Sequence, residues 1–253
     1  MKDAFGLKVE SGGENIVLSA PNGSRLNVSF TNRETKNCCF LGTRRGAYWV
    51  SVNDFGHIYA DEYDNAFVDL LSVCKSIKDD NVKRDALAAL SNRSMRSAPN
   101  ADASEKLLEA RLDLSETMLP LVPDESPLWK VRARYNVATA KMHLARRNSS
   151  AGLALESLEL FRACLDSIPA GYEDTERAQL LANICRASAI FLENEGVLDE
   201  RQIEFAVSCG ASALEIYARQ CPRFTEVEWP RTLTVIEEAK SFLEGRLKKF
   251  IMS

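Results

Sequence analysis

The chain has 253 residues, 45% of them hydrophobic, and a formal net charge of −4 at pH 7. This composition is typical of a packed globular protein and excludes a disordered one, and the net acidity argues against general nucleic-acid binding. No apolar run approaches the roughly 18 residues that a spanning helix needs, so no membrane segment is expected. The charged N-terminus lacks the apolar stretch of a secretory signal, and the seven cysteines are scattered and odd in number. We therefore expect reduced thiols and a cytoplasmic protein.

The first sixty residues are predicted to form strands, because apolar and polar residues alternate there with a period of two. The segment from Pro21 to Ser24 provides the turn of a hairpin. The predicted strands lie at residues 16–20, 26–30, 38–41 and 47–52, with 56–60 as the candidate for a fifth. The sequence therefore predicts a small N-terminal antiparallel β-meander in a first domain of residues 1–60.

From residue 61 onward the apolar residues recur at the spacing of one helical face, as in Phe67, Leu70 and Cys74. Proline, glycine and N-capping residues divide this part of the chain into a series of predicted helices. They lie at residues 62–78, 81–95, 102–119, 126–147, 150–167, 174–194, 199–219 and 226–248. The expected fold class is therefore α+β, with a mainly helical second domain of residues 61–253.

Three helices of the second domain are related in sequence, which indicates a repeat. Placing Asn136 on Asn183 and Val235 aligns them at offsets of 47 and then 52 residues. The middle unit, residues 180–217, has small residues at close-packing positions and resembles the helix-turn-helix of a tetratricopeptide repeat. The resemblance covers roughly residues 102–250 and implies a stack of helical hairpins, with a longer period than the 34 residues usual for that family. An irregular helical bundle without a repeat is the alternative.

A basic segment lies between two acidic ones. Residues 126–155 carry six Lys or Arg residues and no acidic residue, while residues 61–125 and 156–253 each have a net charge of −6. Acidic helices packed beside the basic segment can neutralise it. Alternatively, the basic side chains can attract an acidic peptide, a carboxylate or a phosphate.

The resemblance also implies where a partner would bind. In tetratricopeptide proteins the first helix of each pair lines the concave surface, and some members hold a peptide carboxylate with Lys, Arg and Asn side chains from successive first helices. The corresponding candidates for partner binding are Arg132, Asn136, Gln179, Asn183, Arg186 and Arg231. The expected partner is a protein or peptide, including one with an acidic segment. Ordinary polar residues on a helix flank are the alternative interpretation.

No catalytic, metal-binding or phosphate-binding motif is recognisable, and the two histidines lie in different predicted domains. The favoured function is therefore a non-catalytic interaction module, an adaptor or regulator, with no cofactor and no metal. One alternative is an enzyme whose site lies between the β-meander and the first helices, with His57 beside Asp54, Asp61 or Glu62. Another is a sensor of a small ligand or nucleotide that uses the arginine-rich helix at 126–147.

Overall fold

The computed structural model of the chain describes residues 8–12, 15–19, 25–29, 39–43, 46–51, 67–68, 71–72, 74–97, 103–169, 172–220 and 230–252. These residues belong to two compact units, Met1–Pro123 and Asp124–Ser253. The domain boundary predicted after residue 60 lies outside the described residues. Among the helices that are described, none is both long enough and apolar enough to cross a membrane.

Five described strands of the first unit form one antiparallel sheet. They are β1 (Lys8–Gly12), β2 (Asn15–Ser19), β3 (Arg25–Ser29), β4 (Cys39–Thr43) and β5 (Gly46–Ser51). β2 pairs with both β1 and β3, so that Leu18 lies opposite Val9 on one side and Leu26 on the other. β5 pairs with β4 and also with β3, and the strand order is therefore β1-β2-β3-β5-β4.

The predicted fold class, α+β with an N-terminal β-meander, is wrong. In a meander each strand pairs with the next one in sequence, whereas here β3 pairs with β5 and β4 lies at the edge of the sheet. The described residues from Phe67 to Met252 are 84% helical and include no strand. Residue alternation identifies strands and their local turns, but the pairing of one hairpin with another depends on long-range packing. The pattern also did not predict β1, and the fifth strand expected at 56–60 lies outside the described residues.

Helices form the rest of the described first unit. Residues 67–68, 71–72 and 74–76 are helical, and they are followed by α1 (Asp80–Ser97), α2 (Glu105–Met118) and a short 3-10 helix (Leu119–Leu121). α2 begins after Ser104, whose hydroxyl accepts a hydrogen bond from the Leu107 amide at 3.1 Å. These helices bury Phe67, Leu71, Leu87, Leu90, Leu107 and Leu114. The helices predicted in this unit are confirmed over the described residues.

In the described part of the second unit there are five helices. They are α3 (Pro127–Asn148), α4 (Ala151–Asp166), α5 (Asp174–Glu193), α6 (Glu200–Gln220) and α7 (Pro230–Ile251). α3 ends where Ser149 adopts a left-handed conformation, with φ of 49°. Before α6, the Asp199 carboxylate accepts a hydrogen bond from the Gln202 amide at 2.8 Å, and the Gln202 side chain accepts one from the Asp199 amide at 3.0 Å. The predicted helices are confirmed here, with ends that differ by about four residues at most.

The helices of the second unit pack as successive neighbouring pairs. Each of α3 to α6 contacts the next helix in sequence, and α5 also contacts α3 and α7. α3, α5 and α7 therefore lie side by side as the first helices of successive pairs. A single core in this unit includes the fully buried residues Leu158, Phe161, Leu180, Ile203 and Ile236. This packing is compatible with a stack of helical hairpins.

The helices α5 and α6 approach each other closely at Gly210. A Cβ atom at this position would lie 2.8 Å from the Sγ atom of Cys185, which is too close for an ordinary contact. Glycine therefore allows the two helices of this pair to pack at their observed separation.

Candidate partner-binding face

The predicted binding residues lie on the three first helices. α3 carries Arg132 and Asn136, α5 carries Gln179, Asn183 and Arg186, and α7 carries Arg231. We call the surface that α3, α5 and α7 share the first-helix face. The side chain of Arg231, at the start of α7, lies outside the described part of the chain.

Arg132 forms an ion pair that joins α3 to α5. Its Nε and Nη2 atoms donate hydrogen bonds to the two carboxylate oxygens of Glu176, at 2.6 and 3.0 Å. The hydrogen bond with Glu176 raises the pKa of Arg132 above its ordinary value. The Arg132 guanidinium also lies over the ring of Trp129, 5.3 Å from the ring centroid. The charge of Arg132 is therefore already matched within the chain.

Asn183 is the centre of a polar network between α3 and α5. Its side chain is 6% exposed, and its Nδ2 atom donates a hydrogen bond to the Tyr135 hydroxyl at 2.9 Å. Its Oδ1 atom accepts a hydrogen bond from Nη1 of Arg186 at 3.1 Å. Burial raises the pKa of Tyr135 to about 12, so the hydroxyl stays protonated at neutral pH. The network fixes the position of the Arg186 guanidinium relative to both helices.

Arg186 differs from Arg132 in having no acidic partner among the described residues. Among the residues that the structure describes, its hydrogen bond is to the neutral amide of Asn183, and no carboxylate lies within ion-pair distance of it. Burial lowers the pKa of Arg186, and the nearby positive charge of Arg146 lowers it further. Two arginines thus lie near each other, and one of them is largely withdrawn from solvent.

A small cleft lies on the first-helix face beside Arg186. Its volume is about 100 Å³, and its walls come from α3, α5 and α7. The lining side chains are Arg146, Arg186, Ala189, Ile190, Glu193, Val235, Glu238 and Ala239. Small-molecule sites usually have volumes of about 300–1,000 Å³, so this cleft has room for one side chain rather than for a metabolite.

The charges around the cleft are not uniform. Arg146 and Arg186 provide positive charge, whereas Glu193 and Glu238 provide negative charge. Glu193 lies two helical turns beyond Arg186 on α5, about 10 Å further along the axis at 1.5 Å per residue. The cleft is therefore lined by charges of both signs.

Several other charges of the basic segment are neutralised. Lys130 pairs with Asp124, and Lys141 pairs with Glu156 at 2.6 Å. Together with Arg132, at least three of the six basic residues of 126–155 therefore have acidic partners. Asn136 and Gln179 are half-buried, and neither side chain forms a hydrogen bond within the described part of the chain.

The sequence did not identify Arg146 or Tyr135 as part of this face, and it placed Glu176 at a groove position without including it among the candidates. Tyr135 lies on the apolar stripe of α3. A hydropathy pattern therefore assigns it to the core and does not predict the hydrogen bond of its hydroxyl. Arg146 was recognisable in principle, because the 47-residue repeat offset places it on Glu193, and both residues line the cleft. Glu176 could not be found as the partner of Arg132 without the packing of α5 on α3.

Other chemistry receives little support from the described side chains. Within the described residues, no group of three or more His, Cys, Asp or Glu side chains could hold a metal ion. Burial raises the pKa of Cys74 and Cys185 to about 12 and of Cys164 and Cys209 to about 11, which makes each thiol a poor nucleophile at neutral pH. His57, around which an enzyme site was considered, lies outside the described residues.

Comparison with known proteins adds no further assignment. No protein-family model matches the chain, and no significant match was found among curated proteins or among solved structures. The stack of helical hairpins therefore rests on the packing of α3 to α7, and the tetratricopeptide family remains a resemblance.

Proposed function

We propose that this chain is a non-catalytic interaction module, an adaptor or regulator, that binds a partner protein through the first-helix face. An acidic side chain of the partner docks in the cleft beside Arg186. The observation that carries the proposal is a largely buried guanidinium that is held by Asn183, lies near Arg146 and has no carboxylate within ion-pair distance among the described residues, although Glu193 and Glu238 line the same cleft.

The free energy of bringing a carboxylate beside the Arg186 guanidinium favours this proposal. A guanidinium withdrawn from water has lost part of its hydration, and its bond to a neutral amide replaces that loss only in part. A carboxylate brought beside it forms charge-assisted hydrogen bonds in a partly desolvated setting, where they are stronger than on an exposed surface. Because Asn183 already orients Arg186, little side-chain entropy is lost when a partner binds.

The size of the cleft favours a macromolecular partner over a metabolite. A volume of about 100 Å³ holds a single Asp or Glu side chain, and the rest of the partner would lie along the open surface of α3, α5 and α7. Nucleotides are larger than the cleft, which makes the alternative of a nucleotide sensor less suitable for this face.

A selection from a random peptide library tests the proposal. We expect peptides captured by the immobilised protein to be enriched in Asp and Glu. In fluorescence anisotropy, Arg186→Gln should weaken a selected acidic peptide by about 10- to 100-fold, as expected for the loss of hydrogen bonds to a charged group. Arg201→Gln is the matched control, because Arg201 is exposed on α6 and its change should alter affinity less than about twofold.

Two results would contradict the proposal. One is a selection that yields no acidic peptide. The other is an acidic peptide that binds Arg186→Gln as tightly as it binds the original protein while circular dichroism shows that the variant is folded.

A further inference from the structure

Trp129 is an exposed aromatic side chain on α3, which is one of the three helices that line the cleft. It is 60% exposed at the start of α3, although tryptophan is usually among the well-buried residues of a protein. A single exposed apolar side chain needs no explanation in itself. The contacts of Trp129 distinguish it from such a residue.

The ring of Trp129 is held in place without being covered. Arg132 lies over the ring, 5.3 Å from the centroid, and is itself fixed by two hydrogen bonds to Glu176 on α5. The exposed side of the ring therefore forms a rigid apolar surface whose position is set by two helices. Tryptophan residues oriented in this way are common among the residues that dominate binding energy at interfaces.

The distance from the Trp129 ring to the cleft determines how far apart, along a partner segment, the two side chains that contact them would lie. Glu176 and Arg186 both lie on α5, and a rise of 1.5 Å per residue separates them by about 15 Å along the helix axis. An extended peptide advances about 3.3 Å per residue, so four or five residues of a partner span this distance.

We infer that Trp129, Arg132 and Glu176 form a second subsite, which takes an apolar side chain four or five residues away from the acidic side chain docked at Arg186. The inference rests on the proposed function, since it concerns the same partner segment. The expected partner is therefore an extended segment that binds through two side chains, one acidic and one apolar.

The chain provides a matched control for Trp129. Phe205 on α6 is 39% exposed, and the guanidinium of Arg162 lies over its ring at 5.8 Å from the centroid. This pair has the same chemistry as Trp129 and Arg132, but it lies on a second helix of the stack rather than on the first-helix face. Truncation of Phe205 thus removes an arginine-stacked aromatic residue without touching the proposed subsite.

Three synthetic peptides in a Gly/Ser background test the inference by NMR titration, which measures weak affinities. The first carries a Glu-Glu pair, the second adds Leu five residues from the pair, and the third places Leu directly beside the pair. We expect the second peptide to bind about fivefold more tightly than the first, from partial burial of one leucine, and the third to show no gain. Trp129→Ala should abolish the gain, Trp129→Phe should restore part of it, and Phe205→Ala should retain it.

The outcomes separate this inference from the proposed function. If the first peptide fails to bind, the proposed function is overturned and the inference falls with it. If the first peptide binds and loses affinity in Arg186→Gln, but Leu gives no gain or the gain survives in Trp129→Ala, the proposed function stands and the second subsite is wrong.

Discussion

The two ends of the first-helix face hold their arginines in different ways. Near the start of α3, Arg132 is paired with both carboxylate oxygens of Glu176, and 30% of its side chain remains exposed. Beside the cleft, the more deeply buried Arg186 is bound by the neutral amide of Asn183, and burial lowers its pKa. The comparison teaches that an arginine with an internal acid joins two helices, whereas a buried arginine without one is the better candidate to receive an acid from another molecule.

The largest expected effect concerns the pH dependence of the network at the Arg186 end. Burial raises the pKa of Tyr135 to about 12 in the folded protein, above its ordinary value of 10. A group whose pKa is raised on folding contributes stability that is complete below the unfolded pKa and is lost as the pH rises through the folded pKa. Between pH 10 and pH 12, the titration of Tyr135 should therefore lower the free energy of unfolding by about 2 kcal/mol.

Chemical denaturation at several alkaline pH values measures this loss. Because other buried groups also titrate in this range, the relevant quantity is the difference between the original protein and Tyr135→Phe. The variant should lose less stability between pH 10 and pH 12. Equal losses in the two proteins would show that the Tyr135 hydroxyl is not buried in the network.

A somewhat smaller effect is expected when the amide at the centre of the network is removed. Asn183→Ala leaves the buried Tyr135 hydroxyl and one Arg186 donor without their bonds, which should lower the free energy of unfolding by about 1 to 3 kcal/mol. Gln179→Ala is the control on the same helix, and a change within about 0.5 kcal/mol is expected there. If urea denaturation shows equal losses in the free energy of unfolding for the two variants, the claim that the hydrogen bonds of Asn183 stabilise the fold is contradicted.

The smallest expected effect lies at the other end of the face. Glu176→Gln breaks the ion pair with Arg132, and because both side chains are partly exposed the loss of stability should be about 0.5 to 1 kcal/mol. Under the proposed function the same change releases Arg132, so affinity for an acidic peptide should rise and become more sensitive to salt. Glu156→Gln, which removes the ion pair between Glu156 and Lys141 instead, provides the comparison. A Glu176→Gln variant with unchanged affinity would mean that the partner does not reach this end.

The helices of the second unit were predictable because their signals are local. Apolar spacing, the Ser150 cap and the reciprocal Asp199 and Gln202 cap can all be read within a few residues, and helix ends followed to within about four residues. The sheet order was not predictable in the same way. Turn residues indicate hairpins, but nothing local states that β5 rather than β4 pairs with β3.

The candidate site was predictable only in outline. The repeat alignment placed Asn183 and Arg186 on a first helix, and the structure brings them together. It could not distinguish Arg132, which has an internal acid, from Arg186, which has none among the described residues, because that difference depends on which side chains α3 and α5 bring opposite each other. From the sequence alone, both interpretations of the basic segment therefore remain open: that acidic helices neutralise it, and that it attracts an acidic ligand.

NMR of the arginine side chains tests the central claim most directly. In the protein labelled with ¹⁵N, the Nε–H signals of Arg132 and Arg186 can be assigned by comparison with Arg132→Lys and Arg186→Lys. During titration with an acidic peptide, the account predicts that the Arg186 signal shifts in a saturable way, while the Arg132 signal, bound to Glu176, moves little. A saturable shift of Arg132 with an unchanged Arg186 signal would contradict the account.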